Sequence, residues 1–215
     1  MGRVRALLFD FNGTLSDDEP LLCAVYRDLF AEYGRPLSEE EYYAHLAGLA
    51  EAALLARWLD LEGEALEQAA GQRIARYQEL ASDGSTVLAH TREAVAYAAT
   101  RVPLAIVSGA VRREIEPVVA AAGLAGLFAE LVAADDVSHG KPHPEGYLRA
   151  LDLLGLADDP ANVVAFEDTE VGVAAAKDAG LVCFAMATTL PPGRLGRADR
   201  IVPRIDLALV REVLG

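Results

Sequence analysis

Short apolar runs recur along the chain, and most stop abruptly on polar residues. Val4 to Phe9 gives way to Asp10, Asn12, Gly13 and Thr14. Val102 to Val107 ends at Ser108-Gly109, Glu130 to Ala134 at Asp135-Asp136, and Asn162 to Phe166 at Glu167-Asp168. Leu181 to Met186 and Arg200 to Val202 are two further runs. Such runs, bounded by turn residues, predict buried strands. Between them apolar residues return at helical spacing over about 91–99, 111–122, from Pro144 to about 154, and 170–179, with Gly123 and Gly180 as stops. Strand-helix alternation predicts an α/β fold with a doubly wound parallel sheet. A carboxylate at the C-terminal end of a buried strand, followed by a glycine turn, stands where such sheets place their chemistry.

Residues 20–80 carry no strand signal. Leu21, Leu22, Val25, Leu29 and Phe30 fall on one helical face, and Gly34-Arg35-Pro36 ends that helix. Ser38 followed by Glu39-Glu40-Glu41 reads as an N-cap with its capping box, opening a second helix that ends near Gly48. A third helix is predicted over about 51–61 and a fourth over about 64–80, with Ala81 to Ser85 as the exit loop. The pattern therefore predicts an all-helical cap domain, residues 17–84, inserted into a core domain of residues 1–16 and 85–215.

Composition narrows the function. With 215 residues, 53% apolar and 24% charged, the chain is long enough for a core domain and a small second one, and is globular in character. No apolar run approaches the roughly 18 residues of a membrane span, and the N-terminus shows no signal-peptide pattern. Two cysteines far apart, Cys23 and Cys183, suit a reducing compartment, so a cytoplasmic location is expected, and they offer no zinc site. A net charge of −14 argues against nucleic acid and anionic membranes as partners. It leaves room for a small phosphate ester, which needs only local positive charge. Oligomeric state is not legible.

The strand ends and one loop carry a consistent set: Asp10-x-Asn12-Gly13-Thr14, then Ser108-Gly109, then Lys141-Pro142, then Glu167-Asp168. In a parallel sheet these ends share one rim. Phosphoryl transfer accounts for the set. A carboxylate can form a covalent phospho-intermediate. A hydroxyl and an ammonium can hold phosphoryl oxygens as charge spreads over them. Carboxylates bind Mg²⁺ through hard oxygen ligands, and the cation offsets repulsion between an anionic nucleophile and an anionic substrate.

These residues resemble the haloacid dehalogenase superfamily, in the branch near β-phosphoglucomutase and phosphoglycolate phosphatase. Asp10-Phe11-Asn12-Gly13-Thr14-Leu15 resembles its first motif, and Ile106-Val107-Ser108-Gly109 its second. Gly140-Lys141-Pro142-His143-Pro144-Glu145 resembles the third, and Phe166-Glu167-Asp168 with the helix to Ala176 the fourth. The resemblance runs from Leu7 to about Met186. It implies Asp10 as nucleophile, with Ser108 and Lys141 orienting phosphate and nucleophile, and Thr14 and Gly109 completing the phosphate site. It also implies Mg²⁺ on Asp10, Asp168 and the backbone carbonyl of Asn12, with Glu167 supporting the metal site.

Position 12 departs from the family pattern, whose phosphotransferases carry a second aspartate there. An amide cannot exchange a proton in this range, and general acid/base help is worth roughly 10²–10⁴ in rate. Four readings follow: a phosphatase for good leaving groups, a substitute acid among Asp17, Asp18 and Glu19, a phospho-ligand binding protein with weak turnover, or aspartate in some molecules through deamidation of the Asn12-Gly13 pair. A phosphomutase, which needs acid/base help at a sugar hydroxyl, is disfavoured. Phosphonoacetaldehyde hydrolases need a cap lysine, and residues 17–84 hold none. Glu167-Asp168 disfavours a dehalogenase. Tyr42, Tyr43, His45 and Arg57 read as packing or surface residues of the cap, and Lys177 as a solvated helix residue. His139 and His143 are separated by Pro142, so helical spacing implies no metal pair.

Overall fold

The computed structural model describes residues 3–49 and 51–215. Its six strands are β1 (Ala6–Phe9), β2 (Leu104–Val107), β3 (Glu130–Val132), β4 (Val163–Glu167), β5 (Val182–Met186) and β6 (Arg200–Val202). They form one sheet in the order β3-β2-β1-β4-β5-β6, and every neighbouring pair is parallel. Every residue of β1, β2 and β4 is buried, so both faces of the central strands are covered, as their apolar runs require. The chain fills one half of the sheet through β3 and then returns to the other side of β1. The reversal between β1 and β4 is where an open α/β sheet leaves a crevice at its C-terminal edge. Phe9 pairs with Phe166 there, which sets Asp10 beside Glu167 one step further on.

The helices of the sheet unit are α5 (Ala89–Ala99), α6 (Arg112–Ala121), α7 (Glu145–Leu153), α8 (Glu170–Asp178) and α9 (Leu207–Leu214). α5 packs on α9, and α7 on α8. Between β1 and α5 lie α1 (Glu19–Glu32), α2 (Glu39–His45), α3 (Glu51–Leu59) and α4 (Gly63–Ala81), an all-helical insertion. α4 is its spine, packed against α1, α3 and, across to the sheet unit, α6. The insertion has its own aromatic cluster, in which Tyr42 stacks on Tyr26, Tyr26 meets Phe30 at a tilt, and Phe30 stacks on Trp58. The capping box predicted at Ser38 is present, with the Glu41 N–H donating to Ser38 Oγ at 3.2 Å and the Ser38 N–H to Glu41 Oε2 at 2.9 Å.

Several boundaries shift for local reasons. The third helix stops at Leu59 rather than 61, because Asp60 takes a left-handed backbone (φ 57°). β2 begins at Leu104 rather than Val102. β3 ends at Val132, because the Ala133 N–H turns to Asp136 Oδ2 (2.9 Å) and residues 134–136 form a 3₁₀ turn. The C-terminal helix α9 lies beyond the predicted elements, although Asp206 caps it by accepting the Leu209 N–H at 2.9 Å. Among the described residues, no helix is long and apolar enough to cross a membrane.

Candidate active site

A cavity of about 420 Å³ opens between the C-terminal edge of the sheet and the helical insertion. Its floor includes Asp10, Asn12, Ser108, Gly109, Lys141 and Asp168, so strand ends far apart in sequence do converge. Its roof comes from the insertion: Glu19, Leu22 and Tyr26 of α1, Tyr42 of α2, Glu51 and Leu54 of α3, and Arg73 of α4.

Lys141 organises the floor. Its Nζ donates to Asp10 Oδ1 (2.5 Å), Glu167 Oε1 (2.6 Å) and the Val107 carbonyl (3.0 Å). An ammonium has three donors, so all are used and the head group is fixed. Tyr147 on α7 donates to the same Glu167 oxygen at 2.5 Å. Glu167 is fully buried, and its carboxylate is directed at Lys141 and Tyr147 beneath the cavity. Gly172 makes room for it, because a Cβ there would lie 1.9 Å from Glu167 Oε2.

Asp168 is held from three sides. Thr14 Oγ1 donates to its Oδ1 at 3.2 Å, the Thr189 hydroxyl donates to its Oδ2, and Gly13 presses against it. Gly13 has φ +70°, and a Cβ there would lie 2.1 Å from Asp168 Oδ2, so only glycine fits this turn. The Thr14 hydroxyl is thus directed at Asp168, whereas Ser108 and Gly109 face the cavity. Thr188 Oγ1 donates to the Gly13 carbonyl at 2.8 Å. The Thr188-Thr189 pair carries no motif. Its one sequence signal is a polar pair just past the end of β5.

Oxygen atoms of Asp10, Glu167 and Asp168 lie within 4.8 Å of one another, and all three residues are buried. Burial pushes Asp10 up to about 7, with Lys141 pulling it down and Glu167 pushing it up. Burial also raises Asp168 well above the carboxylate range, reinforced by Asp10 and Glu167. Burial alone would lower Lys141, but Asp10 and Glu167 outweigh it and keep the ammonium charged. Three carboxylates thus face one ammonium, all with hard oxygen donors, and a divalent cation fits that imbalance.

Position 12 is built as an amide. Asn12 Nδ2 donates to Asp18 Oδ2 at 2.9 Å, and the Gly13 N–H donates to Asp18 Oδ1 at 3.0 Å. The Tyr77 hydroxyl from α4 also donates to Asp18. Asp18 is fully buried, raised by burial, and does not line the cavity. Asp17 is exposed and does not line it either. Glu19 does line it, and its Oε1 accepts the Tyr42 hydroxyl at 2.8 Å. Burial, chiefly, pushes Glu19 up to about 7.

Across the roof, Arg73 donates from Nε to Glu51 Oε1 (2.5 Å) and makes a two-pronged pair with Glu114 of α6 (Nη2 to Oε1, 2.9 Å). Arg73 and Glu114 are both buried, and neither is marked by any sequence motif.

Other readings change. Tyr42 is buried and reaches the cavity, whereas Tyr43, His45 and Arg57 do not line it. Trp58 packs against the insertion core, stacked on Phe30. Lys177 is half-buried and tethered rather than freely solvated: its Nζ donates to Asp199 Oδ2 (2.5 Å) and the Leu181 carbonyl (3.0 Å), tying α8 to the chain around β5. His139 and His143, for which helical spacing implied no metal pair, nevertheless have ring centroids 4.9 Å apart, because the turn between them closes with the His143 N–H on the Gly140 carbonyl (3.1 Å). With Glu145 they form a small exposed cluster, in which Glu145 accepts the Ser138 and His139 N–H groups and so braces the Lys141 loop.

A carboxylate at the switch point of a 3-2-1-4-5-6 parallel sheet, paired with a lysine and roofed by inserted helices, is the arrangement of a Rossmann-like hydrolase suited to phosphoryl transfer. The family model for haloacid dehalogenase-like hydrolases matches residues 4–180, and the chain belongs to that family, in its phosphatase and β-phosphoglucomutase-like branch. It is 30% identical over 214 residues to the validoxylamine A 7′-phosphate phosphatase of Streptomyces hygroscopicus subsp. limoneus, covering 96% of each chain. It is also 30% identical over 223 residues to the phosphorylated carbohydrates phosphatase of Thermotoga maritima, covering 98% of this chain and 100% of that one. The crystal structure of CbbY from Rhodobacter sphaeroides in complex with phosphate superposes with a TM-score of 0.83 at 26% identity, over 94% of this chain and 95% of that one.

Proposed function

We propose that the protein is a Mg²⁺-dependent phosphatase of small polyhydroxylated phosphomonoesters, working through a phospho-Asp10 intermediate. The observation that carries this reading is the fixed Lys141–Asp10 pair on the cavity floor beside Ser108 and Gly109. Lys141 holds Asp10 Oδ1, which aims the other carboxylate oxygen at an incoming phosphorus. The Ser108 hydroxyl and the turn at Gly109 receive phosphoryl oxygens as charge spreads over them. Asp10 forms a bond to phosphorus while the ester P–O bond breaks, and water then splits the aspartyl phosphate. Mg²⁺ would be held by Asp10, Asp168 and the Asn12 carbonyl, and would supply positive charge against the phosphate dianion. Glu167 would support that centre from below through Lys141.

Two features support the substrate class. Related chains named for validoxylamine phosphate, phosphorylated carbohydrates and fructose 1-phosphate share the family. The roof offers Glu19, Tyr42 and Glu51 to hydroxyl groups, and its one cation among the described lining residues, Arg73, is already held by Glu51 and Glu114. That suits an uncharged polyol more than a second anionic group.

The test is hydrolysis of an aryl phosphate and a panel of sugar phosphates with Mg²⁺, by wild type and Asp10→Asn. Turnover abolished in Asp10→Asn supports the reading. The Asn12 amide favours a second reading, a phospho-ligand binding protein with little turnover. Equal inactivity of both proteins, with phosphate esters still bound, would establish that instead.

A further inference from the structure

We propose that Glu19 is the acid and base of this site, donating the proton to the departing alkoxide and then taking one from water. The proposal rests on the phosphatase reading above. The chemistry needs such a group, because an alkoxide leaves poorly without a proton and Asn12 has none to give. Three carboxyls stand nearest in the chain, and the structure separates them. Asp17 points away into solvent. Asp18 is sealed off, with Asn12, Gly13 and Tyr77 all donating to it. Glu19 alone of the three lines the cavity that Asp10 lines.

Its geometry suits the task. Glu19 is the first residue of α1, so the helix start fixes its backbone on the roof side of the cavity. The Tyr42 hydroxyl holds Oε1, and no protein group among the described residues takes Oε2. Glu19 itself lines the cavity, which offers its carboxyl to a bound substrate. The ester oxygen of a phosphate seated on Asp10 faces the roof, since in-line attack puts nucleophile and leaving group on opposite sides of phosphorus. Burial also keeps a useful fraction of the carboxyl protonated at neutral pH, with the Asp18 and Asp10 charges adding to it.

In the first step Asp10 bonds to phosphorus, the ester P–O bond breaks, and the Glu19 proton passes to the leaving oxygen, giving an alcohol. In the second step water attacks the phosphorus of the aspartyl phosphate. Glu19 carboxylate takes a proton from that water, the P–O bond to Asp10 breaks, and inorganic phosphate leaves. Glu19 ends protonated, as it began.

The experiment measures kcat and kcat/KM with Mg²⁺ for wild type, Glu19→Gln, Glu19→Asp and Asp10→Asn. The substrates are a sugar monophosphate and a series of phenyl phosphates of graded leaving-group pKa, with phospho-Asp10 trapped by acid quench and read by mass spectrometry. Glu19→Gln is expected to lose about 10²-fold or more in kcat/KM on the sugar phosphate, while 4-nitrophenyl phosphate, whose leaving group needs no proton, changes only a few-fold. Phospho-Asp10 should accumulate in Glu19→Gln, and Glu19→Asp should recover part of the sugar phosphate rate. A loss that is equal for all leaving groups, or absent, overturns the assignment. So does a steep dependence of wild-type kcat/KM on leaving-group pKa, which needs no variant at all. If wild type matches Asp10→Asn and no phospho-Asp10 forms, the phosphatase reading itself fails, and this proposal with it.

Discussion

Asn12 and Asp18 form a matched pair in which the amide of one donates to the carboxylate of the other at 2.9 Å. The site therefore cannot be read as a phosphatase site with one residue changed. Asn12→Asp would set two carboxylates at hydrogen-bond distance in a buried place, where they can coexist only by sharing a proton. The expected cost is about 1–3 kcal/mol at pH 8, shrinking near pH 5 as the shared proton returns. Thermal melts at both pH values check this. Asn12→Asp with Asp18→Asn, which exchanges the two partners, should recover the loss. If Asn12→Asp melts like wild type at pH 8, the pairing is not structural.

Metal binding should be coupled to pH with a defined sign. Asp10 and Glu19, both raised to about 7, keep protons in the folded protein that the unfolded chain releases near 4. A raised carboxyl favours folding while pH is low, and that contribution is lost as pH rises towards 7. Metal-free protein should therefore lose stability between about pH 4 and 7, and a cation replaces the lost protons. Mg²⁺ is expected to raise the melting temperature more at pH 8 than at pH 5.5. A Mg²⁺ shift that is the same at both values would count against a site built on these carboxylates.

Gly172 should tolerate no side chain. A methyl group there would collide with Glu167, which anchors Lys141 and accepts the Tyr147 hydroxyl. Gly172→Ala is expected to cost about 1–3 kcal/mol from overpacking and to lower turnover sharply, because Lys141 loses its support. Urea unfolding and kcat measured on the same preparation check both effects. An active variant with unchanged stability would show that the close contact relaxes freely.

The insertion is pinned to the sheet unit by charge. Arg73→Met leaves Glu114 buried without its partner, an expected loss of ~3–5 kcal/mol in a urea titration. Arg73→Met combined with Glu114→Met removes both charges and should lose far less. Equal losses for the single and double variants would mean that packing, rather than the unpaired carboxylate, sets the cost.

Much of this was readable from the chain. The strand-end residues Asp10, Ser108 and Glu167-Asp168 could be found because buried strands announce themselves as apolar runs, and a parallel sheet brings their ends to one rim. Lys141 was found through the Gly140-Lys141-Pro142 loop, which resembles the family's third motif. What stayed hidden depends on side-chain direction. Nothing local distinguishes Asp17, Asp18 and Glu19, yet one turn of chain points one to solvent, one into a buried network and one into the cavity. Arg73 and Glu114 are ordinary helix residues in sequence, and only the packing of α4 on α6 brings them together. Thr188 and Thr189 fall outside every motif, and the β4–β5 register carries them to Gly13 and Asp168. α9 was missed because its apolar positions follow a short edge strand with little signal of its own.

The hold of Asp18 on the Gly13 N–H reaches beyond catalysis to how the protein ages. An Asn-Gly pair converts to aspartate when the glycine nitrogen attacks the asparagine side chain, and a free, flexible Gly13 would make position 12 one of the fastest clocks in the chain. Here that nitrogen is tied to Asp18 Oδ1 at 3.0 Å, and the Asn12 amide is tied to the other oxygen of the same carboxylate. Asn12 should therefore deamidate more slowly in folded molecules than in unfolded ones, so the extent of conversion at position 12 in an old sample reflects how much of its life that sample spent unfolded.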